Sequence, residues 1–233
     1  MKTELMGFRG ISQNGVGLSF DMDGIRHSFT RVSLPDVFME WLIEGRKAMY
    51  ETLEGMYTAP FFQSHLPVVV TQTQGQSIPF NTSNKGVGLL PEEDKIEEYC
   101  DLLERTLEST RDMPPDQTMA ERLGAVRLLL ERNEVSNRAL ITLEIFEKQT
   151  FRNLCDFPVA TLHYTDHGPT YLSFQIDSVV EVLTPSHPAY RFAFLSRQLF
   201  EHDRFHITQT TFPYAYLFHP VQIRDKTPKR RRH

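Results

Sequence analysis

Two pairs of histidines have the residue type and the spacing that suit metal chemistry. His163 and His167 lie four residues apart, and so do His202 and His206. Two imidazoles with a neighbouring carboxylate bind Zn²⁺ or non-haem Fe²⁺. A spacing of four residues brings two side chains together on one face of a helix, whereas the local pattern places His163 on a strand and His167 in the turn after it. The four histidines are therefore candidate metal ligands of a small-molecule enzyme, with ordinary surface histidines as the alternative.

A dense basic cluster ends the sequence, where residues 226–233 read KTPKRRRH. Its cations are Lys226, Lys229, Arg230, Arg231 and Arg232. The whole chain has a net charge of −5, so the remainder without these five cations carries −10. A cationic tail on an acidic body predicts contact with a partner, which could be an acidic protein, nucleic-acid phosphates or an anionic membrane surface. A solvated, disordered end is the alternative.

Residues 92–108 form an acidic segment with eight carboxylates against two cations. Pairs such as Glu97 with Asp101 or Glu104 could bind a metal or act as acid and base. A solvated helix face explains the same composition, and such a face could also dock a basic partner.

A fourth feature is the aromatic run FPYAYLFH at 212–219. Aromatic side chains on one face of a sheet can stack on nucleic-acid bases. They also supply ordinary cross-strand packing, and Tyr214, Tyr216 and Phe218 have no basic residues between them. Packing is therefore the favoured interpretation, and nucleic-acid binding is a further alternative.

The common catalytic motifs are absent from the sequence. There is no P-loop, GxSxG, HExxH, paired CxxC or GxGxxG, although a site built from scattered residues needs none of these. Cys100 and Cys155 are far apart and match no metal or redox pattern, so we expect two free thiols in a reducing cytosol.

The elements that must position these residues follow from periodicity and turn signals. Asn14-Gly15 and Asp23-Gly24 are hairpin signals. Helical spacing of apolar residues predicts helices over 35–57, 92–111, 116–133, 136–154 and 187–201. Alternation and apolar runs predict strands over 5–12, 16–22, 25–32, 66–73, 159–165, 170–183, 205–210 and 214–223. The stretch 74–90 is predicted to be a long loop, either a lid or a disordered segment.

These elements predict an α+β fold. We expect the N-terminal meander and the C-terminal strands to join in one antiparallel sheet, covered on one face by a central block of about three helices. Residues 1–225 are predicted to form a single domain, followed by the basic tail 226–233; the alternative is two lobes with a boundary within 74–90.

The function predicted from these features is that of a non-catalytic accessory or adaptor protein in the cytoplasm. Its basic tail and acidic helix would bind a macromolecular partner, most simply another protein, and no cofactor is predicted. The alternatives are a metal-dependent enzyme with Zn or Fe at the four histidines, and a nucleic-acid-binding protein. The sequence contains no apolar run long enough to cross a membrane.

Overall fold

The computed structural model describes residues 10–55, 63–166, 171–200 and 211–228. Its strands are β1 (Ser12–Asn14), β2 (Gly17–Met22), β3 (Ile25–Thr30), β4 (Val68–Gln72), β5 (Phe80–Asn84), β6 (Leu140–Leu143), β7 (Val159–Thr165), β8 (Ser173–Leu183) and β9 (Ala215–Asp225). Its helices are α1 (Asp36–Gly55), α2 (Ile96–Ser109), α3 (Pro115–Glu131), α4 (Gln149–Asp156) and α5 (Pro188–Gln198), with one 3-10 turn (Glu93–Lys95) before α2. The α+β class is therefore confirmed.

Six antiparallel strands form the main sheet, in the order β5-β4-β7-β8-β9-β6. The sheet is curled into a half-barrel. The chain that leaves β5 reaches β6 at the opposite edge, where the amide of Gly88 donates to the carbonyl of Ile141 at 2.6 Å and the amide of Ile141 donates back at 3.1 Å. The two edges of the sheet are thus joined through residues 85–88.

The N-terminal meander forms a separate three-stranded sheet, β1-β2-β3. Its turn at Asp23-Gly24 has two positive φ angles, 51° and 76°, as the two-residue hairpin signal predicts. Leu18 and Phe20 pack with Val179 of β8 in one apolar cluster, while the next residue, Val180, belongs to the main core. Successive strand residues point to opposite faces, so the meander covers one face of the main sheet and the main core lies on the other.

The prediction that the meander and the C-terminal strands share one sheet is therefore wrong. The reason is that β2 buries only one face, and it does so by packing on β8 rather than by pairing edge to edge. The link between the layers includes a backbone hydrogen bond from Val32 to the carbonyl of Pro220, at 2.9 Å.

Helices α1, α2, α3 and α5 all contribute to the main core on the second face. In α1, a Cβ added at Gly45 would lie 2.2 Å from Oγ of Ser64. The helix therefore needs glycine there for the close approach of residue 64. Arg191 of α5 ties that helix to α2 and donates to Glu97, Asp101 and Glu104 at 2.7, 3.3 and 2.7 Å.

The predicted helix over 136–154 is wrong, and with it the central block of three helices. The described chain has five α-helices, and residues 136–154 form β6 and the first part of the short α4. Adjacent residues Leu140 and Ile141 are both buried, so β6, an edge strand of the main sheet, is covered on both faces. A short apolar run of this kind fits a buried helix and a buried strand equally well by periodicity.

Part of the predicted loop 74–90 is also a strand. Residues 80–84 form β5, which pairs antiparallel with β4, so the segment is neither a lid nor disordered over that stretch. The sequence FNTSN gives no apolar alternation, because β5 is an edge strand whose stability comes from backbone pairing with β4. The single domain over 1–225 and the lobe boundary stay predictions.

Candidate functional site

A cavity of about 970 Å³ lies between the helices and the place where the two sheet edges meet. This volume is at the upper end of the range of small-molecule sites. The cavity has two unlike walls, one built by helices and one built by the strands and the segments that follow them.

The helical wall is predominantly apolar. Residues of four helices form it, including Leu53 of α1, Leu103 of α2, Val126 and Leu129 of α3, and Phe192 of α5. Each of these helices turns its apolar stripe towards the sheet, as an amphipathic surface helix must. The cavity therefore presents to a ligand the same side chains that form the edge of the core.

The opposite wall is polar and is centred on a buried ion pair. Lys85 follows β5 and Glu144 follows β6, and their side chains meet at 2.8 Å (Nζ to Oε2) with exposed fractions of 12% and 3%. The other carboxylate oxygen of Glu144 accepts from the backbone amides of Phe146 and Glu147 at 2.8 and 2.9 Å. This pair thus joins the two sheet edges at the base of the cavity.

The charge of Glu144 is stabilised in spite of its burial. Burial alone would raise the pKa of this carboxyl, but the charge and hydrogen bond of Lys85, with the Tyr216 hydroxyl and the Phe146 amide, hold it below its ordinary value. The Tyr216 hydroxyl is buried beside Glu144. Within the described residues it has no partner that meets the geometry of a hydrogen bond. Burial and the neighbouring carboxylate raise the pKa of Tyr216. The Lys85 ammonium also lies 5.2 Å from the centroid of the Tyr216 ring.

A second polar group surrounds Arg46, which lies on α1 and reaches across to Val87 in the segment that follows β5. Its NH2 donates to the carbonyl of Val87 at 3.1 Å and lies 3.1 Å from Nδ1 of His65. The same ring nitrogen lies 3.0 Å from the carbonyl of Val87. A Cβ at Gly86 would lie 2.9 Å from Nε2 of His65, so glycine at this position leaves room for the imidazole. Arg46, His65 and Val87 therefore form one compact unit at the cavity surface.

Of the four histidines predicted to bind metal, only His163 lies within the described residues. It is on β7, exposed, and its Nε2 lies 3.2 Å from Oγ of Ser173. His167, His202 and His206 lie outside the described residues, so the predicted metal site stays a prediction. Among the residues that the structure describes, no group of three or more His, Cys, Asp or Glu side chains is arranged to hold a metal ion.

The predicted partner-binding tail lies mostly beyond the described residues. Lys226 is described, and its backbone amide donates to the carbonyl of Ser173 at 2.8 Å, which extends the pairing of β9 with β8. Lys229, Arg230, Arg231 and Arg232 fall outside, and their partner role stays a prediction. Nothing in the structure identifies a partner, and no helix in the described ranges has the length and apolar character needed to cross a lipid bilayer.

The acidic helix and the aromatic strand have structural roles. Three carboxylates of α2 surround Arg191, as described above. Tyr216 and Phe218 are fully buried and Tyr214 stacks on Phe151 with ring centroids 4.8 Å apart. The packing interpretation of the aromatic run is therefore confirmed, and the two buried rings are not available to stack on bases.

Both cysteines are free thiols, as expected.

The sequence patterns do not single out Arg46, His65, Lys85 and Glu144 as site residues. One signal was present, because Glu144 is a single carboxylate that directly follows the apolar run 139–143. Lys85 lies in a polar segment, and only the tertiary structure brings it to Glu144.

Comparisons with known proteins give no family. No protein-family model matches the sequence, and no curated protein matches it. HupZ from Group A Streptococcus is similar in structure with a TM-score of 0.40 and 11% identity, covering 77% of this chain and 92% of HupZ. An FMN-binding protein from Syntrophomonas wolfei subsp. wolfei has a TM-score of 0.39 and 12% identity, covering 83% of this chain and 97% of that protein. Likeness at this level does not assign the chain to either protein's family.

Proposed function

We propose that this protein binds a small, predominantly apolar molecule in the cavity between its helices and the joined sheet edges. The observation that carries the proposal is the cavity itself. The cavity is concave, has a volume of about 970 Å³ and is lined mainly by apolar side chains, which is the usual form of a small-molecule site. A ligand of matching shape would recover the dispersion contacts that the empty walls lack.

The composition of the walls supports a ligand with an apolar body and a few polar groups. Small-molecule sites are typically lined by apolar side chains with a small number of fixed polar groups that set orientation. Here the helices supply the apolar part, and the fixed groups are the Lys85–Glu144 pair and the Arg46–His65 unit.

A neutral probe tests this proposal without any assumption about charge. Decanol binding is measured by isothermal titration calorimetry on the wild-type chain and on Ala193→Trp, which places an indole in the cavity from α5. Gln198→Trp, on the same helix but not in the cavity lining, is the matched control. We expect decanol to bind the wild type and the control alike and the Ala193→Trp variant more weakly. Absence of binding to the wild type, or equal binding to all three chains, would overturn the proposal.

A further inference from the structure

The cavity lining has the opposite charge to the rest of the chain. Its charged residues are the four cations Arg46, Lys85, Lys148 and Arg197 and one carboxylate, Glu144. The lining therefore carries a net charge of +3 on a chain whose net charge is −5. A cavity with charge of one sign and low-dielectric walls attracts ligands of the opposite sign.

Three of the four cations have surroundings that reduce their availability to a ligand inside the cavity. Lys85 is paired with Glu144 at 2.8 Å. Lys148 is exposed at the cavity rim and lies 5.1 Å from the Phe146 ring centroid. The guanidinium of Arg197 lies over the Phe212 ring at 4.5 Å.

Arg46 differs because its polar contacts within the described residues are a ring nitrogen, a carbonyl oxygen and a sulfur. It contacts the His65 ring, the Val87 carbonyl and, at 3.9 Å, the sulfur of Met49. It forms no ion pair with any carboxylate in the part of the chain that the structure describes. A half-buried cation without a counter-charge loses part of its hydration, and no ion pair compensates for that loss. An anionic ligand group would supply the missing charge, and a guanidinium suits planar or tetrahedral anionic oxygens.

The charge of Arg46 also reaches the buried phenols near it. Burial raises the pKa of Tyr50, and Arg46 opposes that rise. The same opposition, again secondary to burial, acts on Tyr164. The Arg46 charge therefore lies close enough to two buried phenols, Tyr50 and Tyr164, to act on them.

We infer that the ligand of this cavity carries a carboxylate or phosphate group, which Arg46 binds while His65 and the Val87 carbonyl hold the guanidinium in place. This inference rests on the proposed function, since it assigns one end of the same ligand. The apolar body of the ligand lies against the helical wall.

Four probes with the same apolar chain separate the two proposals. Decanol tests whether the cavity binds an apolar chain. Decanoate and decyl phosphate test for an anionic group and show whether a carboxylate or a phosphate is preferred. Decylammonium is the cationic control. We expect decanoate or decyl phosphate to bind the wild type roughly tenfold to a hundredfold more tightly than decanol, which is the range for a hydrogen bond to a charged group. Decylammonium should bind more weakly than decanol.

Variants of Arg46 then show whether this residue causes the preference for anionic probes. Arg46→Met should remove the anion preference, measured as the affinity of each anion relative to that of decanol in the same variant, while Arg46→Lys should keep part of it. Arg105→Met, an exposed position on α2 outside the cavity lining, should behave as the wild type. Retained decanol binding shows that the Arg46→Met variant is folded, and if it does not fold, loss of part of the preference in Arg46→Lys carries the test.

The outcomes are distinguishable. If no probe binds the wild type, the proposed function fails. If decanol binds but both anions bind no better, or if Arg46→Met keeps the anion preference, the inference fails and the proposed function stands.

Discussion

The Lys85–Glu144 pair offers the sharpest test of how the two sheet edges are held together. Its side chains are only 12% and 3% exposed, so removing either charge leaves its partner buried without compensation. Breaking a buried pair by removing one partner costs about 3 to 5 kcal/mol of unfolding free energy. In Lys85→Met the carboxylate keeps two backbone donors, Phe146 and Glu147, so we expect a loss near the lower end, about 3 kcal/mol.

A double-mutant cycle separates this effect from lost packing. Glu144→Gln keeps an oxygen that can accept from the same two amides, but it removes the carboxylate charge that pairs with the Lys85 ammonium. The double variant has no buried charge at this site, so its loss should be smaller than the sum of the two single losses by about 1 to 3 kcal/mol. Urea unfolding at neutral pH measures the free energy of unfolding of the wild type, the two single variants and the double variant. Strict additivity would refute the claim that the two charges compensate each other.

The pH dependence of the folding stability tests the same ion pair independently. In the wild type the pKa of Glu144 is lowered in the folded state, so its contribution to stability is present above the unfolded pKa of about 4.5 and is lost as pH falls through the folded pKa. In Lys85→Met the main remaining influence is burial, which raises the pKa of that carboxyl. The destabilisation of the variant should therefore shrink as the pH falls from neutral towards 4.5. Parallel stability profiles for wild type and variant would contradict this account.

Two further predictions concern glycines and thiols. Gly124 lies on α3 with no atom within 4 Å of an added Cβ, so Gly124→Ala should stabilise the protein by about 1 kcal/mol, whereas Gly45→Ala should destabilise it through the steric overlap described above. Thermal unfolding of both variants checks this, and a stabilised Gly45→Ala would be inconsistent with the close contact. Burial raises the pKa of Cys100 and of Cys155 to about 11, so iodoacetamide should label both thiols slowly in the native protein at pH 7.5 and rapidly in urea, as mass spectrometry can follow. Rapid labelling of Cys100 in the native protein would contradict the burial of its thiol.

Much of the local structure could be predicted from the sequence. The hairpin signals, the apolar alternation of β2 and the helical stripes of α1, α2, α3 and α5 are all short-range patterns, and a short-range pattern is sufficient to define such elements. The errors fell on β5 and β6, the two edge strands. Neither has a period of its own, because β5 is held by backbone pairing and β6 is buried on both sides.

The candidate site depended on those same two strands, so the sequence alone could not reveal it. The sequence determined the α+β class, the acidic body with its basic tail and the absence of common catalytic motifs. Only the tertiary structure decided that residues 85 and 144 meet, that Arg46 has no counter-charge among the described residues, and that a cavity separates the helices from the joined edges. The physical reason is that a cavity and a charge balance are properties of several segments packed together, and spacing along one segment does not encode them.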